Sequence, residues 1–287
     1  MRQRGGSNSY VSSAFVILRL MEIIVIEWST GVQKKLENGI KSEDYAVWDT
    51  DKGYFIVADG VSRDSYDKNG FSLAREAAER AANAMARRLS QFDAEHAMYD
   101  AFKQANKAVK ALNEEEGLWG EGNNNYLDRD LAGTCLACMV QRKGEFSYGY
   151  VGDSRIAHLT SRGNLFITPD QVLESKAEFP QGKHTEQVVT IRKERRNNPS
   201  DSHKTYGVLT GEDAALDPTY LKRGSYKCKS GDVVLVCSDG LAPFVEKDKQ
   251  FTQLLLNGSN EKIQAHVADP NSLYQNNDEK TLILYRV

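Results

Sequence analysis

Acidic residues stand at the ends of apolar, strand-like runs in five places along this chain. Three of these places follow such a run, at 59–60 (Asp-Gly), 152–154 (Gly-Asp-Ser) and 238–240 (Ser-Asp-Gly). Two precede one, at 42–44 (Ser-Glu-Asp) and at Asp278. Carboxylates gathered at one edge of a sheet would repel each other unless a cation lay between them. The sequence therefore points to a divalent-metal centre.

Length and composition set broad limits on the protein class. The 287 residues are 40% hydrophobic and 9% aromatic, which suffices for a core in one large domain or two small ones. The formal net charge is −3 and no long basic block occurs, so we expect no nucleic-acid partner.

The four cysteines do not form a metal motif in the sequence. Cys135 and Cys138 have C-x-x-C spacing, but they fall in a predicted strand, where residues three apart point to opposite faces. We interpret all four as free thiols and predict a cytoplasmic location.

The first twenty residues differ in character from the rest. Their apolar stretch, Ala14–Leu18, is followed by Arg19 and Glu22 and is too short to span a bilayer. A secretory signal peptide would need a small-residue cleavage site, which this stretch lacks. We predict an N-terminal extension over 1–20, whose order the sequence leaves open, a single domain over 21–287, and no membrane partner.

Hydrophobic periodicity predicts an α+β protein. Strands are expected at 22–28, 45–48, 54–58, 134–141, 146–151, 156–160, 165–167, 233–237 and 281–287. Helices are expected at 72–89, 94–116, 245–256 and 261–268. The stretch from 170 to 216 has little periodicity and is interpreted as a mobile flap insert with a short strand at 188–191. Because strands come in hairpins and helices in pairs, we predict a layered sandwich rather than a parallel sheet.

Hairpin geometry gives a reason for the acids to meet. Residues equidistant from a turn lie side by side in an antiparallel pair. Asp44 should therefore face Asp59 at the open end of the first hairpin, and Asp153 should lie beside Thr134 at the open end of another. Asp239 and Asp278 share an end if their strands are antiparallel neighbours.

Ligands that are all oxygen select hard cations such as Mg²⁺ or Mn²⁺. Two such ions sharing one carboxylate can generate a bridging hydroxide and hold a phosphoryl group for in-line displacement. No serine or cysteine nucleophile is then needed.

These residues resemble the motifs of the metal-dependent type 2C protein serine/threonine phosphatases, the PPM family. The match runs in order from about Trp28 to the C-terminus, and each piece is weak alone. The matching pieces are Glu43-Asp44, Asp59-Gly60, Gly133-Thr134, Gly152-Asp153-Ser154-Arg155, Ser238-Asp239-Gly240-Leu241 and Asp278-Glu279-Lys280-Thr281.

The resemblance implies a four-layer α-β-β-α sandwich, a phosphoprotein substrate and two Mg²⁺ or Mn²⁺ ions, with a third, weaker one. Asp59 would bridge the two ions and Asp239 and Asp278 would complete one of them. Glu43 and the carbonyl of Gly60 would contact the other ion. Asp153 would lie near the third ion, which it would share with Asp239. The catalytic residues implied are Asp59 and Asp239.

Substrate-binding residues are where the chain departs from the family. The family often has an arginine shortly before the Glu-Asp pair, and this chain has none between Asn38 and Ser42. Lys41, Lys35 or Arg63 could replace it, although a lysine lacks the bidentate fork of arginine. Val61 stands where animal members have a histidine.

Simpler interpretations accompany these. Asp-Gly pairs commonly mark turns, Arg155 is expected to be structural, and none of the five histidines is assigned a catalytic role. The leading hypothesis is hydrolysis of phosphoserine and phosphothreonine in signalling proteins by the metal-bridging hydroxide. The alternatives are a regulatory or binding module with little catalysis and a metal-dependent hydrolase of another phosphoester.

Overall fold

The computed structural model describes residues 23–28, 42–61, 72–91, 94–119, 131–142, 145–173, 194–200, 205–276 and 278–287. Ten strands in this part of the chain form two five-stranded antiparallel sheets. The strands are β1 Ile23–Trp28, β2 Tyr45–Asp49, β3 Tyr54–Val61, β4 Gly133–Arg142, β5 Glu145–Val151, β6 Arg155–Leu159, β7 Leu165–Ile167, β8 Lys222–Lys227, β9 Val233–Cys237 and β10 Lys280–Arg286. One sheet has the order β2-β3-β4-β5-β8, and the other has the order β1-β10-β9-β6-β7.

Helices cover the outer face of each sheet. Two long helices, α1 (Leu73–Leu89) and α2 (Ala94–Glu115), pack on the first sheet, and three shorter ones lie on the second. The shorter helices are α3 Ala242–Lys247, α4 Lys249–Asn257 and α5 Asn260–Ala268. Helix α1 buries a face made mostly of alanine, which lets its backbone approach the sheet closely. None of the described helices is both long and apolar enough to cross a membrane.

Three apolar layers hold the sandwich together. Between the sheets, Phe55, Phe146 and Tyr285 form the aromatic centre, with ring centroids 5.4–5.7 Å apart for the two pairs that include Tyr285. The other layers fill the space between each sheet and its helices. The predicted α+β, four-layer α-β-β-α sandwich is confirmed.

Most predicted elements agree with the observed ones, and two differences have physical reasons. Strand β8 was not predicted, because its sequence KRGSYK is polar and it lies at a sheet edge with alternate residues exposed. The single helix predicted at 245–256 is two helices. Asp248 interrupts it, and its side chain accepts hydrogen bonds from the N–H groups of Gln250 and Phe251 at the start of α4.

The predicted flap is covered only in part. Its short strand at 188–191 lies outside the described residues. Residues 170–173, 194–200 and 205–216 of the flap are described, and the last of these segments packs on the domain, where Leu209 pairs with Thr134 and Val208 is buried beside Cys135. The extension over 1–20 also lies outside the described residues.

Strand register confirms the hairpin arithmetic. Tyr45 pairs with Ala58, which places Asp44 opposite Asp59. Leu136 pairs with Val151, which carries Thr134 and Asp153 to the same end. Leu282 pairs with Cys237, so the segments that hold Asp239 and Asp278 adjoin.

Candidate metal centre

Three carboxylates from different parts of the chain converge at one end of the sandwich. Asp59 lies near the end of β3, Asp153 lies in the turn between β5 and β6, and Asp239 follows β9. One carboxylate oxygen from each lies within 4.8 Å of the other two. Because β3 and β9 belong to different sheets, the cluster exists only where the ends of both sheets meet.

The two Asp-Gly pairs require glycine for a steric reason. Neither Gly60 nor Gly240 has the positive φ of a left-handed turn. A Cβ on Gly60 would lie 2.5 Å from the carbonyl oxygen of Ala74, and one on Gly240 would lie 1.9 Å from that of Glu279. Glycine at these positions therefore lets neighbouring backbone close in around the carboxylates. The interpretation of these pairs as simple turns is not supported.

Gly152 of the Gly-Asp-Ser segment is different, because its φ is +87° and its N–H donates to Gln171 at 2.9 Å. This left-handed residue turns the chain between β5 and β6 and leaves Asp153 buried at the cluster. Gly152 therefore forms a turn, and that turn also places Asp153 in the acidic cluster.

The Glu279 side chain holds the turn that contains Glu43 and Asp44 through hydrogen bonds. Its Oε2 accepts hydrogen bonds from the hydroxyl of Ser42 and from the N–H groups of Glu43 and Asp44, the last at 3.0 Å. Glu279 precedes β10 in one sheet, and the turn precedes β2 in the other. The carboxylate therefore links the two sheets beside the acidic cluster.

The same turn is held from the helix side. Ser72, the N-cap of α1, donates from Oγ to Oε1 of Glu43 at 2.7 Å. Arg75 donates from Nη1 to the carbonyls of Ser42 and Asp44, and its guanidinium lies 4.5 Å from the centre of the Tyr45 ring. Glu43 is thus oriented before any ligand binds.

Charge crowding is strong in this cluster. Loss of solvation raises the pKa of Asp59 well above its ordinary value, and the charges of Asp44, Asp239, Asp153 and Asp278 raise it further. Burial is also the main cause that raises the pKa of Asp44 to about 8. Glu279 and Asp239 add to that shift, and hydrogen bonds from Ser238 and Thr281 oppose it.

One orphaned oxygen and one ammonium group lie beside the cluster, and the ammonium, of Lys280, interacts electrostatically with Asp278, Asp239 and Asp44. Oδ2 of Asp44 is buried and has no hydrogen-bond partner among the described residues. The nearby ammonium of Lys280 donates to the backbone carbonyls of Asn276 and Asp278 at 3.1 and 3.0 Å. An oxygen-only donor set, the raised pKa of Asp59 and the orphaned oxygen of neighbouring Asp44 fit a hard divalent cation.

Comparison with known proteins agrees with this geometry. The family model described as Protein phosphatase 2C matches residues 33–269, which is more than half of the chain. The chain belongs to the protein phosphatase 2C family. No curated protein sequence matches it closely enough to count as a relative.

Solved structures of phosphatases share the fold. The catalytic domain of the serine/threonine phosphatase PstP, solved with two manganese ions, is 19% identical with a TM-score of 0.62, over 93% of this chain and 97% of that one. PppA of Pseudomonas aeruginosa is 16% identical with a TM-score of 0.62 and the same coverage. RsbX, in complex with magnesium, is 15% identical with a TM-score of 0.52, over 93% of this chain and 94% of that one.

Not every residue predicted for the phosphatase 2C site lies in the three-carboxylate group. Glu43 and Gly60 adjoin it, and the carbonyl of Glu43 lies close to Gly60. Asp278 is exposed and outside the group, although its charge acts on Asp59. Lys41 and Arg63 lie outside the described residues, and so does Lys35.

Several supporting residues were assigned no role from the sequence. Ser72, Thr134, Ser238 and Glu279 hold the turns or backbone beside the acids, and Thr134 donates from Oγ1 to the carbonyl of Asp59 at 2.8 Å. Most of them stand next to a motif residue, which is the only signal that the sequence contains. Arg155 pairs with Glu246, as expected of a structural residue.

The histidines with described side chains lie outside the cluster of three aspartates, but two of them have acidic partners that the sequence did not indicate. Nε2 of His158 lies 3.0 Å from Asp232, and Nε2 of His266 lies 2.7 Å from Asp248. Asp232 and Asp248 are not among the five acidic places noted in the sequence, and these pairs form between residues distant in the sequence.

Proposed function

We propose that this chain is a metal-dependent protein serine/threonine phosphatase that hydrolyses phosphoserine and phosphothreonine in proteins. The observation that carries the proposal is the convergence of Asp59, Asp153 and Asp239 at one end of the sandwich, where burial and the charges of neighbouring acids raise the pKa of Asp59. Family membership supports the same class of reaction.

We assign the residues that would hold Mg²⁺ or Mn²⁺ from the resemblance of the motifs to the family. Asp59, the most charge-crowded, would bridge two ions. Asp239 and Asp278 would hold one ion, Glu43 and the carbonyl of Gly60 the other, and Asp153 with Asp239 a third. Ions bound in this way lower the pKa of a coordinated water and neutralise the oxygens of a phosphoryl group.

The protein's own groups support hydrolysis by water rather than a covalent route. Cys135 is the thiol nearest the cluster, and burial, together with the charges of Asp153 and Asp59, raises its pKa well above the ordinary value. It is therefore a protonated thiol at neutral pH and a poor nucleophile. Ser154 is fully buried beside Asp153.

The remaining assignments concern the substrate and the compartment. Lys41 and Arg63 are our candidates for binding the substrate phosphate. All four cysteines are free, which supports a reducing compartment such as the cytoplasm.

The decisive experiment measures phosphate release from a phosphoserine peptide and from p-nitrophenyl phosphate by the full chain. We expect release that requires added Mn²⁺ or Mg²⁺ and stops with a chelator. The Asp239→Asn variant should fold and release no phosphate. Folded wild-type protein that binds Mn²⁺ but hydrolyses neither compound would contradict the proposal.

Two alternatives have distinct outcomes. A regulatory module would show weak metal binding or none by calorimetry. A hydrolase for another phosphoester would be active on p-nitrophenyl phosphate and on a member of a nucleotide panel, and inactive on the phosphopeptide.

A further inference from the structure

A second cluster of metal-ligating side chains lies at the opposite end of the sandwich. His158 is on β6, Cys228 follows β8, and Asp232 precedes β9. Strand β9 separates Asp232 from Asp239 of the acidic cluster, and a five-residue strand spans roughly 17 Å. The two clusters are therefore distinct sites.

The three side chains are close enough to share one ion. One ligand atom from each of His158, Cys228 and Asp232 lies within 4.8 Å of the other two. The side chain of Asp232 is 5% exposed and that of His158 is 12% exposed. Cys228 is half-buried, which leaves a path for an ion to enter.

Neighbouring groups hold the cluster in place. Asp232 accepts from the N–H of Ser161 with Oδ1 and from the N–H of Lys229 with Oδ2, both at 2.9 Å. The His158 ring stacks on Tyr226 at 4.8 Å with an angle of 3° between the planes. Hydrogen-bonded and stacked ligands of this kind are typical of ordered metal sites.

The donor atoms distinguish this cluster from the first. The acidic site offers oxygen, whereas this one offers sulfur, nitrogen and oxygen. Thiolate and imidazole ligands favour Zn²⁺, which binds three protein ligands and a water in tetrahedral geometry.

We propose that His158, Cys228 and Asp232 form a separate site for Zn²⁺ or a similar thiophilic divalent ion. On binding, the sulfur–metal bond replaces the S–H bond and the proton passes to solvent. A ring nitrogen of His158 and an oxygen of Asp232 exchange their mutual contact for the ion. The ion would join β6 of one sheet to the β8–β9 connection that leaves the other.

A nucleophilic Cys-His-Asp arrangement fits these residues less well. Burial, followed by the charge of Asp232, raises the pKa of Cys228 to about 12. An isolated thiolate is therefore disfavoured, whereas a cation would compensate both negative charges. The simpler alternative is a His158–Asp232 hydrogen bond that fixes the turn, with Cys228 only nearby.

The first experiment adds Co²⁺ to the chelator-stripped full chain and records its absorption. We expect a thiolate-to-cobalt charge-transfer band, which oxygen ligands at the acidic cluster cannot produce. Cys228→Ser and His158→Ala should lose the band. Asp59→Asn, altered in the first site, and Cys138→Ala, a thiol without a histidine neighbour, should keep it.

The second experiment needs no variant. Zn²⁺ should protect Cys228 of the wild-type protein from alkylation, as mapped by mass spectrometry, and Mg²⁺ should not. It should also raise the thermal midpoint of the wild type. Absence of the band in the wild type, a band that survives Cys228→Ser, or equal alkylation with and without Zn²⁺ would overturn the proposal.

Discussion

Buried aspartates occur in two kinds of surroundings in this protein, and their pKa values move in opposite directions. At the metal centre, burial and neighbouring acids raise the pKa of Asp44 and Asp59. At Asp232 and Asp248, burial acts in the same upward direction. Hydrogen bonds from backbone N–H groups and from a histidine outweigh it and lower both pKa values.

This contrast separates acids that hydrogen bonds keep ionised from acids whose charge requires a cation or a proton. A carboxylate whose oxygens accept two or more N–H groups is stable when ionised. A carboxylate surrounded by other carboxylates is stable only when protonated or bound to a cation. Asp59, near the end of β3, therefore belongs to the second kind, and Asp248, the N-cap of α4, belongs to the first.

The largest expected effect contrasts Asp59 with Asp232. Asp59→Asn should lower kcat/KM by at least about 10²-fold, more than the loss of a typical supporting residue. In the metal-free protein it should raise the free energy of unfolding, because it removes charge repulsion. Asp232→Asn should lower that free energy by about 1–3 kcal/mol, because it weakens three hydrogen bonds to a buried charge.

Chemical denaturation in chelator-containing buffer measures both variants. If Asp59→Asn destabilised the metal-free protein as much as Asp232→Asn does, the distinction between the two environments would fail.

The next largest effect concerns the backbone around the cluster. Gly240→Ala should cost about 1–3 kcal/mol of stability and weaken Mn²⁺ binding, since its Cβ would displace the backbone at Glu279. Gly163→Ala is the comparison, because a Cβ there meets nothing within 4 Å and only the positive φ is strained. Calorimetric Mn²⁺ titration should separate them, and unchanged binding in Gly240→Ala would contradict this account.

A smaller effect is expected at Glu279, a positioning residue. Glu279→Ala leaves the N–H groups of Glu43 and Asp44 without their acceptor. We expect about 10–100-fold weaker Mn²⁺ binding, as for other residues that orient metal ligands. Glu279→Gln keeps an acceptor oxygen and should restore part of the affinity; no difference between the two variants would argue against the positioning role.

Asp248 is an acid that hydrogen bonds keep ionised, and replacing it tests the properties of that kind of acid. Asp248→Ala removes the N-cap of α4 and should cost about 1 kcal/mol, with Mn²⁺ binding unchanged. Because the folded pKa of Asp248 is lowered, its contribution is present above the unfolded value and is lost as the pH falls through the folded one. The stability difference between wild type and Asp248→Asn should therefore shrink below about pH 4, which urea denaturation at several pH values can measure.

The smallest effect is expected for an exposed acid. Asp49 pairs with Lys52 at 3.5 Å at the tip of the first hairpin, where both side chains reach solvent. Lys52→Ala should leave the thermal midpoint and Mn²⁺ binding unchanged within error, because exposed ion pairs contribute little. A clear drop in the thermal midpoint would show that the solvent exposure of an acid does not by itself predict how little its ion pair contributes to stability.

Local sequence determined much of the architecture. The runs Val233–Cys237 and Leu165–Ile167 match their strands residue for residue, and the first hairpin register followed from counting outward from its turn. Strand β8 and the break at Asp248 were missed, since an edge strand needs no apolar pattern and an N-cap inside an apolar stretch looks like helix.

The sequence by itself determined which acids stand at strand ends, because strand position and hairpin register follow from neighbours along the chain. Only the tertiary structure decided which of them meet. The convergence of Asp59 with Asp239 requires the two sheets to pack face to face with these strand ends on the same side, and the glycines at 60 and 240 permit it. The pairs formed by His158 with Asp232 and by His266 with Asp248 join residues 74 and 18 positions apart. No local pattern encodes such contacts, because they depend on which strands and which helices become neighbours in the fold.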